Sequence, residues 1–358
     1  MKILSLSLDN SILNKNSRLA ERVIGYGNLV DKYVVIVPSD KDEESALSDK
    51  VNIYSAGGRN KAIKFLRIFK LAKKILREEK YDIITVQDQY YLALLAYRLS
   101  RKFKIGLEIQ IHGFEKFFGL RKIIAKFVIP RANAVRVVSQ RLKKELISDF
   151  GVKEKKITVA PIYTGCVTHN AQRITADGNF IFLTVGRLVP VKNISLQIKA
   201  LAVIVKQFPQ TKLLIIGEGV ERKKLEKICY ELRVARYVNF LGYKDNLEEY
   251  YSQANALLLT SNYEGWGMAV IEAASFSLPI IMTDVGCAGE LIKDGESGIV
   301  IPVGGQKELE DAMRIIIEDE GLRERLGNGA REAVEKLPSR EEILALYLES
   351  WKKSCNKL

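Results

Sequence analysis

The chain has 358 residues, of which 47% are hydrophobic, and a formal net charge of +13. This length exceeds what one hydrophobic core usually supports, and it indicates two domains. No segment approaches the roughly 18 consecutive apolar residues that a membrane-spanning helix needs, so we exclude an integral membrane protein. The first nine residues fit a buried strand better than a secretory signal, and the four cysteines form no CxxC pair. We therefore expect a reducing, cytoplasmic location.

The first 160 residues alternate strand and helix patterns, which predicts a parallel sheet covered by helices. The predicted strands are residues 2–8, 33–37, 83–86, 105–111, 134–138 and 157–159. Residues 61–77 form an amphipathic pattern, and we favour a surface helix that packs on this sheet. Its apolar side consists of Ile63, Leu66, Phe69, Ala72, Ile75 and Leu76.

Positive charge is concentrated in this half. Residues 1–160 hold 32 lysines and arginines against 17 acidic residues, and residues 59–144 alone hold 22 against six. Anionic lipid headgroups, nucleic acid or a polyanionic acceptor are the partners that such a surface attracts. No helix-turn-helix signature or aromatic-basic RNA platform accompanies the charge, so we do not expect nucleic acid as a partner.

A second amphipathic helix is predicted at residues 116–129. Its apolar face comprises Phe117, Leu120, Ile123, Ile124, Phe127 and Val128, and Arg121, Lys122 and Lys126 point away from it. Two interpretations stay open. The helix either faces the core, or lies in the interface of an anionic membrane, where each lysine or arginine adds about 1 kcal/mol.

The second half repeats the alternation after a polar linker, predicted within residues 168–179. Its predicted strands are residues 180–185, 212–216, 238–241, 256–260, 279–283 and 298–301. Beyond Pro338 the sequence predicts an N-capped helix with an apolar stripe. We therefore predict an N-terminal domain over residues 1–165, a C-terminal domain over residues 166–338 and a terminal helix over residues 339–358.

Two cations follow the first predicted strand of the second half. Gly186 closes that strand, and the loop after it carries Arg187 and Lys192. Domains of the α/β class bind ligands at the carboxyl edge of their sheet, where this loop would lie. The guanidinium would fork two oxygens of a diphosphate while the lysine adds a point charge, and together they would offset the charge of a departing nucleotide. A metal ion is then not required, and no D-x-D element occurs in this region.

Two carboxylates, Glu264 and Glu272, are separated by seven residues, around a tryptophan that glycines bracket. The stretch lies between a buried strand and an apolar helix. The N-terminus of that helix offers unpaired N–H groups and a favourable dipole to an anion such as a diphosphate. Because carboxylates accept hydrogen bonds from hydroxyls, the stretch suits a sugar nucleotide.

This spacing resembles the E-x7-E element of retaining glycosyltransferases of family 4. Residues 185–193 are similar to that family's G-R-L-x-x-x-K-[GN] segment, and residues 215–225 to its G-x-G-x5-L turn. Residues 240–243 and 279–286 continue the pattern in order, so the resemblance covers the C-terminal half strongly. It implies an α/β protein with the GT-B fold: two Rossmann-like parallel-sheet domains that face each other across a cleft, with a C-terminal helix that crosses back to the first.

The resemblance also implies roles for single residues. Glu264 would lie near the transferred sugar, and Glu272 would hold the ribose hydroxyls. Backbone donors to sugar and phosphate would come from Gly265, Trp266, Gly267, Met268 and Ala269, with Val270 packed beside them. Gly217 and Glu218 correspond to positions that contact the nucleotide base or its surroundings in members of the family. Glu218 fits a solvated loop carboxylate equally well. His112 ends a strand in an H-G pair similar to the family's and would contact the donor sugar, with a purely structural histidine as the alternative.

We therefore expect a retaining, metal-independent glycosyltransferase that needs no cofactor. It would move a sugar from a UDP- or GDP-sugar donor to a glycan or lipid-linked acceptor. The N-terminal domain would bind the acceptor and associate with the inner face of the cytoplasmic membrane. The alternatives are a catalytically silent scaffold with the same fold and a basic nucleic-acid-binding protein.

Three features depart from the family pattern. Residues 8–11 follow the first strand where a glycine-rich loop is usual, and residues 161–165 replace the usual P-N-G-V-D. Leu278 stands where a glycine commonly precedes the proline. They indicate a divergent member and leave its acceptor binding open.

Overall fold

A computed structural model describes residues 1–115, 117–163 and 178–355, apart from the side chain of Arg18. The chain divides into two compact units, Met1–Pro161 with Pro338–Leu358 and Ile162–Leu337. The division predicted after residue 165 and most of the predicted linker lie outside the described residues.

The first unit is built on a twisted sheet that contains, within the described part of the chain, eight strands in the order β3-β4-β2-β1-β5-β6-β7-β8. The strands are β1 Lys2–Leu6, β2 Lys32–Pro38, β3 Glu43–Ser48, β4 Val51–Ala56, β5 Ile83–Val86, β6 Gly106–Ile111, β7 Ala134–Val137 and β8 Ile157–Val159. All neighbours pair in parallel except β3, which is antiparallel to β4.

The predicted parallel sheet is thus confirmed, but the predicted strands omit β3 and β4, and β3 adds an antiparallel strand at one edge of the described sheet. No residue of β3 is buried, and the strand carries Glu43 and Glu44, so it lacks the apolar run that marks the inner strands. Charged side chains on an edge strand discourage pairing with other chains.

Helices cover both faces of this sheet. In chain order they are α1 Arg18–Asn28, α2 Lys61–Glu78, α3 Tyr91–Phe103, α4 Gly119–Val128 and α5 Gln140–Phe150. Helix α2 packs on β2 and β4, α3 on β5 and β6, and α4 against α3. Two residues of the apolar side predicted for α2, Ile63 and Leu66, are exposed, so that part of the prediction is wrong. Ile68, Ala72, Ile75 and Leu76 are buried.

The second unit contains a parallel sheet whose described strands follow the order β11-β10-β9-β12-β13-β14. The strands are β9 Phe180–Val185, β10 Thr211–Ile216, β11 Val238–Gly242, β12 Ala256–Leu259, β13 Ile280–Thr283 and β14 Ile299–Ile301. The helices are α6 Ile194–Ile204, α7 Arg222–Glu231, α8 Glu248–Gln253, α9 Met268–Ser275, α10 Gln306–Glu318 and α11 Glu320–Glu335. Phe182, Leu201, Ile215 and Leu258 are among the fully or almost fully buried residues of its core.

The last helix, α12 Arg340–Cys355, belongs to the first unit. Ser339 caps it: the Ser339 hydroxyl accepts from the Glu342 amide at 3.2 Å, and the Glu342 carboxylate accepts from the Ser339 amide at 2.8 Å. This reciprocal capping box fixes where the helix begins. Tyr347 and Trp351 pack into the core beside β1 and β2, so the helix completes one side of the first sheet.

A buried charge pair ties α12 to the sheet. Glu108 on β6 is fully buried and pairs with the equally buried Arg136 on β7, with Nε 3.1 Å from Oε1. Glu108 also accepts hydrogen bonds from Ser350 and from Trp351 Nε1 of α12, and from Thr85 on β5. Since buried charges are costly unless they are paired and hydrogen-bonded, this network fixes the position of the helix on the sheet.

Candidate functional site

The predicted donor-site residues follow three strands that are neighbours in the second sheet. Gly186 and Arg187 follow β9, Gly217 and Glu218 follow β10, and Glu264 comes five residues after β12. The strand order places β9 between β10 and β12. Because these strands are parallel, their carboxyl ends meet at one edge, where α/β sheets bind ligands.

Glycines allow the first two loops to approach each other. The Gly186 amide donates to the carbonyl of Ile216 at 2.9 Å. Gly217 has φ +132°, and a Cβ there would lie 2.0 Å from the Gly186 carbonyl oxygen. A Cβ at Gly219 would lie 2.2 Å from the carbonyl oxygen of Leu188. Side chains at these positions would therefore push the two loops apart.

Lys192 ends a single 3₁₀ turn, Pro190–Lys192, that is fastened to the end of β12. The Thr260 hydroxyl donates to the carbonyl oxygens of Lys192 and Asn193 at 3.3 and 3.1 Å. The buried Gln197 side chain donates in turn to the Thr260 hydroxyl at 2.9 Å. This chain of hydrogen bonds fixes the backbone from which the Lys192 ammonium extends.

Glu264 is nearly buried, with 8% of its surface exposed, and pairs with Lys192. Its Oε1 accepts from the Lys192 ammonium and from the Ser261 hydroxyl, the latter at 2.7 Å. The carboxylate is thus neutralised and oriented by two donors from different loops.

A tight loop leads from Glu264 into α9. Gly267 has φ +103° and caps the helix without a side-chain hydrogen bond. The first N–H groups of a helix with such a cap are open to an anion, which the helix dipole also favours. Val270 is buried against this turn, and its amide donates to the Gly267 carbonyl at 3.0 Å. Met268 and Ala269, which open the helix, are only partly buried.

Gly286 packs against the loop that leads from Glu264 to α9. It has φ +58°, and a Cβ there would lie 2.7 Å from the Trp266 carbonyl oxygen and 2.9 Å from Cβ of Glu264. The Cys287 amide donates to the same Trp266 carbonyl at 3.0 Å. Trp266 is 3% exposed, and its indole nitrogen has no hydrogen-bond partner among the described residues. The loop over Gly265 to Gly267 therefore rests on a glycine that no larger residue can replace without displacing it.

Glu272 is held separately from Glu264. It lies in the second turn of α9, where its Oε2 accepts from the Tyr251 hydroxyl at 2.8 Å. Tyr251 is buried on α8 and stacks on Phe276 with ring centroids 5.4 Å apart. The two carboxylates thus have different hydrogen-bond partners. Glu218 and Arg187 are both exposed at the strand edge.

His112 belongs to the first unit, directly after β6. Its Nε2 lies 3.4 Å from Nε2 of Gln87. Burial, together with the nearby charges of Arg136 and Arg22, lowers the pKa of His112 to about 4. The imidazole is therefore neutral at pH 7, with one donor nitrogen and one acceptor nitrogen. Contact with a donor sugar stays a prediction.

Comparison with known families decides the class of this protein. Residues 168–333 match the family described as glycosyl transferases group 1, and residues 29–162 match glycosyltransferase family 4. The chain belongs to the family 4, or group 1, glycosyltransferases. The family prediction is thus confirmed.

One curated relative is the N-acetylgalactosamine-N,N'-diacetylbacillosaminyl-diphospho-undecaprenol 4-alpha-N-acetylgalactosaminyltransferase of Campylobacter jejuni. It is 26% identical over 294 residues, which cover 77% of this chain and 79% of the relative. The sucrose-phosphate synthase structure of Thermosynechococcus elongatus has a TM-score of 0.82 at 19% identity and covers 99% of each chain. Anabaena Alr3699/HepE in complex with UDP has a TM-score of 0.76 at 20% identity and covers 98% of this chain and 100% of its own. These likenesses confirm the GT-B fold of the glycosyltransferase.

Two side chains of this glycosyltransferase were not predicted from sequence: Ser261, which orients Glu264, and Tyr251, which orients Glu272. Ser261 could have been predicted, because it follows the buried β12 strand by two residues. Tyr251 carries no comparable signal, because only the packing of α8 beside α9 brings it to Glu272.

The low pKa of His112 predicts a pH-dependent loss of stability. Between about pH 6.5 and pH 4 the unfolded chain binds a proton that the folded unit does not, so stability falls as the pH decreases. His112→Asn removes this contribution. From pH 7.5 to pH 4.5 we expect wild-type glycosyltransferase to lose about 2 kcal/mol more unfolding free energy than the variant.

This difference is measurable by urea unfolding of both proteins in a Trp266→Phe background, where Trp351 fluorescence reports on the first unit alone. Parallel pH profiles of the two proteins would show that His112 titrates normally.

Proposed function

We propose that the enzyme transfers a sugar, with retention of anomeric configuration, from a UDP- or GDP-sugar to an acceptor hydroxyl. The observation that carries the proposal is the Lys192–Glu264 pair beside the N-terminus of α9. Lys192 and the backbone amides at the start of α9 would bind the diphosphate. Glu264, which lies beside them, would bind the sugar. The structure of Anabaena Alr3699/HepE in complex with UDP supports a nucleotide donor.

The proposed reaction breaks the bond between the anomeric carbon and the diphosphate, and forms a bond from that carbon to the acceptor oxygen on the same face. The acceptor proton passes to the departing phosphate oxygen. Arg187 and Lys192 offset the charge that grows on this leaving group, and Glu264 orients the sugar through its hydroxyls. His112, being neutral, donates a hydrogen bond to the donor sugar. Because two cations and the helix dipole supply the positive charge, we propose that no metal ion takes part.

The proposed acceptor is a lipid-linked or cell-envelope glycan, presented at an anionic membrane surface. The C. jejuni relative supports this acceptor class, since its name describes a diphospho-undecaprenol acceptor. The excess of basic residues in the first unit supports the membrane surface.

The test is a panel of UDP- and GDP-sugars, each incubated with enzyme and scored by NMR for sugar transfer or hydrolysis and for the anomeric configuration of the product. We expect one donor class to be consumed with retention, at the same rate with and without EDTA. Inversion would contradict the front-face mechanism, and loss of activity in EDTA would contradict metal independence. If no member of the panel were bound or consumed, the catalytically silent alternative would be favoured.

A further inference from the structure

A column of polar side chains lies on the face of the first sheet that α12 covers. Glu108 and Gln110 of β6 and Thr85 of β5 form one hydrogen-bonded group, in which the Gln110 amide donates to the Thr85 hydroxyl at 2.7 Å. Gln87 and His112, two residues beyond Thr85 and Gln110, continue on the same face, because strand residues alternate between faces. Their side-chain Nε2 atoms lie 3.4 Å apart. The polar column, defined by these five residues, therefore ends at the carboxyl edge of the sheet.

The polar column ends where the strand order of the first sheet reverses. The connection from β1 leads to β2 on one side of β1, whereas β5 and β6 lie on the other side. Ser7 follows β1 and Gln87 follows β5, and the Ser7 hydroxyl donates to the Gln87 amide oxygen at 3.5 Å. Sheets of this class bind ligands outside the carboxyl ends of the strands at such a reversal. The first unit thus has a place for a ligand of its own beside Ser7 and Gln87.

Helix α1 brings a cation to this edge. The helix follows β1, so it begins near the carboxyl edge, and Arg22 lies in its second turn. Tyr26, one turn later on the same side of α1, stacks on Tyr347 of α12 with ring centroids 4.9 Å apart. Arg22 therefore faces the same side of the sheet as the polar column. In agreement with this position, burial and the charges of Arg136 and Arg22 lower the pKa of His112 to about 4.

The Arg22 guanidinium has no protein partner among the described residues. Its Nε is buried and donates no hydrogen bond to them, and none of their carboxylates forms an ion pair with it. Asp9, the carboxylate that follows β1 at this edge, instead accepts from the Ser11 amide at 3.0 Å. A buried N–H group without an acceptor destabilises a fold. The Arg22 side chain is only partly buried, so an anion from solution can reach the guanidinium and supply that acceptor.

A second arginine lies against α1. Arg340 opens α12, and its Nη2 lies 3.4 Å from the position that a Cβ at Gly25 would occupy, within one turn of Arg22. A Cβ at Gly106, where β6 begins, would lie 2.2 Å from the Ser354 carbonyl oxygen in the last turn of α12. Helix α12 therefore starts towards the carboxyl edge. Like Arg22, Arg340 forms no ion pair with a described carboxylate, so the two cations suit a ligand group with more than one negative charge.

We propose that Arg22 and Arg340 bind a phosphoryl group of the acceptor at this edge of the first unit. The Arg22 guanidinium forks two phosphoryl oxygens, and Arg340 adds the second positive charge. The Ser7 hydroxyl and the Gln87 amide donate to the remaining oxygen, which a carboxylate lacks. This inference rests on the proposed function, whose acceptor class it narrows: the phosphoryl group lies close to the accepting hydroxyl, because Arg22 is near His112.

The test is calorimetric titration of the full chain with inorganic phosphate, glycerol 3-phosphate, glycerate and glycerol. Arg187→Ala/Lys192→Ala serves as the parent variant, because it lacks the cations proposed for the nucleotide diphosphate. We expect the parent to bind inorganic phosphate, and to bind glycerol 3-phosphate about tenfold or more tightly than glycerate or glycerol. Adding Arg22→Gln should weaken both phosphate probes about tenfold or more, the usual effect of losing a charge-assisted hydrogen bond.

The matched control is Arg98→Gln, which removes an exposed arginine of α3 in the same unit. It should leave the affinity for glycerol 3-phosphate within twofold of the parent. An equal loss in Arg22→Gln and Arg98→Gln would show general attraction of anions and overturn the site. Phosphate binding in wild type that disappears in the parent would place the anion in the second unit. Glycerate binding as tightly as glycerol 3-phosphate would overturn the phosphoryl class, and absence of phosphate binding would overturn the whole inference.

Arg22→Met distinguishes a ligand-binding arginine from a structural one. The substitution removes the buried, unpartnered Nε and keeps much of the apolar stem. Without phosphate, we expect the urea midpoint of Trp351 fluorescence in the Trp266→Phe background to equal or exceed that of the same background with Arg22. Added phosphate should raise the midpoint only where Arg22 is present. A lower midpoint for Arg22→Met without phosphate would show that the folded unit already uses the guanidinium, and would contradict the inference.

Failure of this inference and failure of the proposed function give different results. If UDP or GDP binds wild type while the parent binds no phosphate probe, only the phosphoryl site is wrong. If phosphate binds through Arg22 while no nucleotide binds and no donor sugar is consumed, the anion site stands and the proposed function is wrong.

Discussion

Lys192→Ala is expected to lower kcat by a factor of about 100 to 1,000, which is the usual effect of removing one group that stabilises developing charge. The ammonium is the group that would meet the diphosphate as the sugar departs. Arg187→Ala should have an effect of the same order, because the guanidinium would share that charge. Initial rates with the donor identified in the panel, over a range of donor concentrations, give kcat and KM separately.

The fold should survive this change, since the 3₁₀ turn around Lys192 is held through its backbone carbonyls, which accept from the Thr260 hydroxyl. Lys192→Met is a second variant, because it retains the length of the side chain without the charge and should be as impaired as the alanine variant. Lys199→Ala, an exposed lysine on α6, is the matched control and should retain full activity. Unchanged turnover in Lys192→Ala would refute the assigned role of the cations.

Glu108→Ala is expected to destabilise the first unit by about 3–5 kcal/mol, the usual cost of leaving one partner of a buried ion pair unpaired. The variant leaves the Arg136 guanidinium buried beneath the Tyr347 ring, 3.3 Å from its centroid, without its carboxylate. It also removes the acceptor for Ser350 and Trp351, so α12 loses two of its hydrogen bonds to the sheet. The measurement is the urea midpoint of Trp351 fluorescence in the Trp266→Phe background.

A control within the same unit is Glu154→Ala. Glu154 is exposed and pairs with Lys143, so its loss should change the unfolding free energy by at most about 1 kcal/mol. The double variant Glu108→Leu/Arg136→Met should recover much of the stability lost in Glu108→Ala, because both charges are then absent. Equal midpoints for Glu108→Ala and Glu154→Ala would mean that the buried pair does not hold α12.

The inner strands are predictable from sequence because they are buried on both faces and form apolar runs. The bounds of β5, β8 and β9 agree with prediction, and those of the other predicted strands differ by one residue or two. The β3 and β4 strands are not predicted, since an acidic edge strand has no apolar run and its pairing depends on β4 alone. The burial of α4 also escapes prediction, because Ile124 and Val128 are buried whereas Leu120 and Ile123 of the same predicted face are exposed. Periodicity shows which residues share a helix face, but not how much of that face the neighbouring helix covers.

Those residues of the candidate site that belong to a sequence motif are predictable. Residues that only tertiary packing brings to the site are not. Lys192 and Glu264 lie 72 positions apart in sequence, and the motifs predict both, although their ion pair appears only in the structure. Gly286 belongs to a predicted motif. Its close packing against the Trp266 carbonyl is visible only in the structure. Tyr251 and Ser261 act through carboxylates that the sequence already indicates, so their contribution is visible only in the folded unit.

The claim that cations and helix-end amides bind a nucleotide diphosphate is tested most directly by calorimetric titration of the enzyme with UDP, GDP, their monophosphates and the nucleosides. We expect at least one diphosphate to bind about tenfold or more tightly than its monophosphate, with the nucleoside weaker still. In Arg187→Ala/Lys192→Ala that preference should vanish. Absence of binding, or a diphosphate preference that persists in the double variant, would contradict the claim.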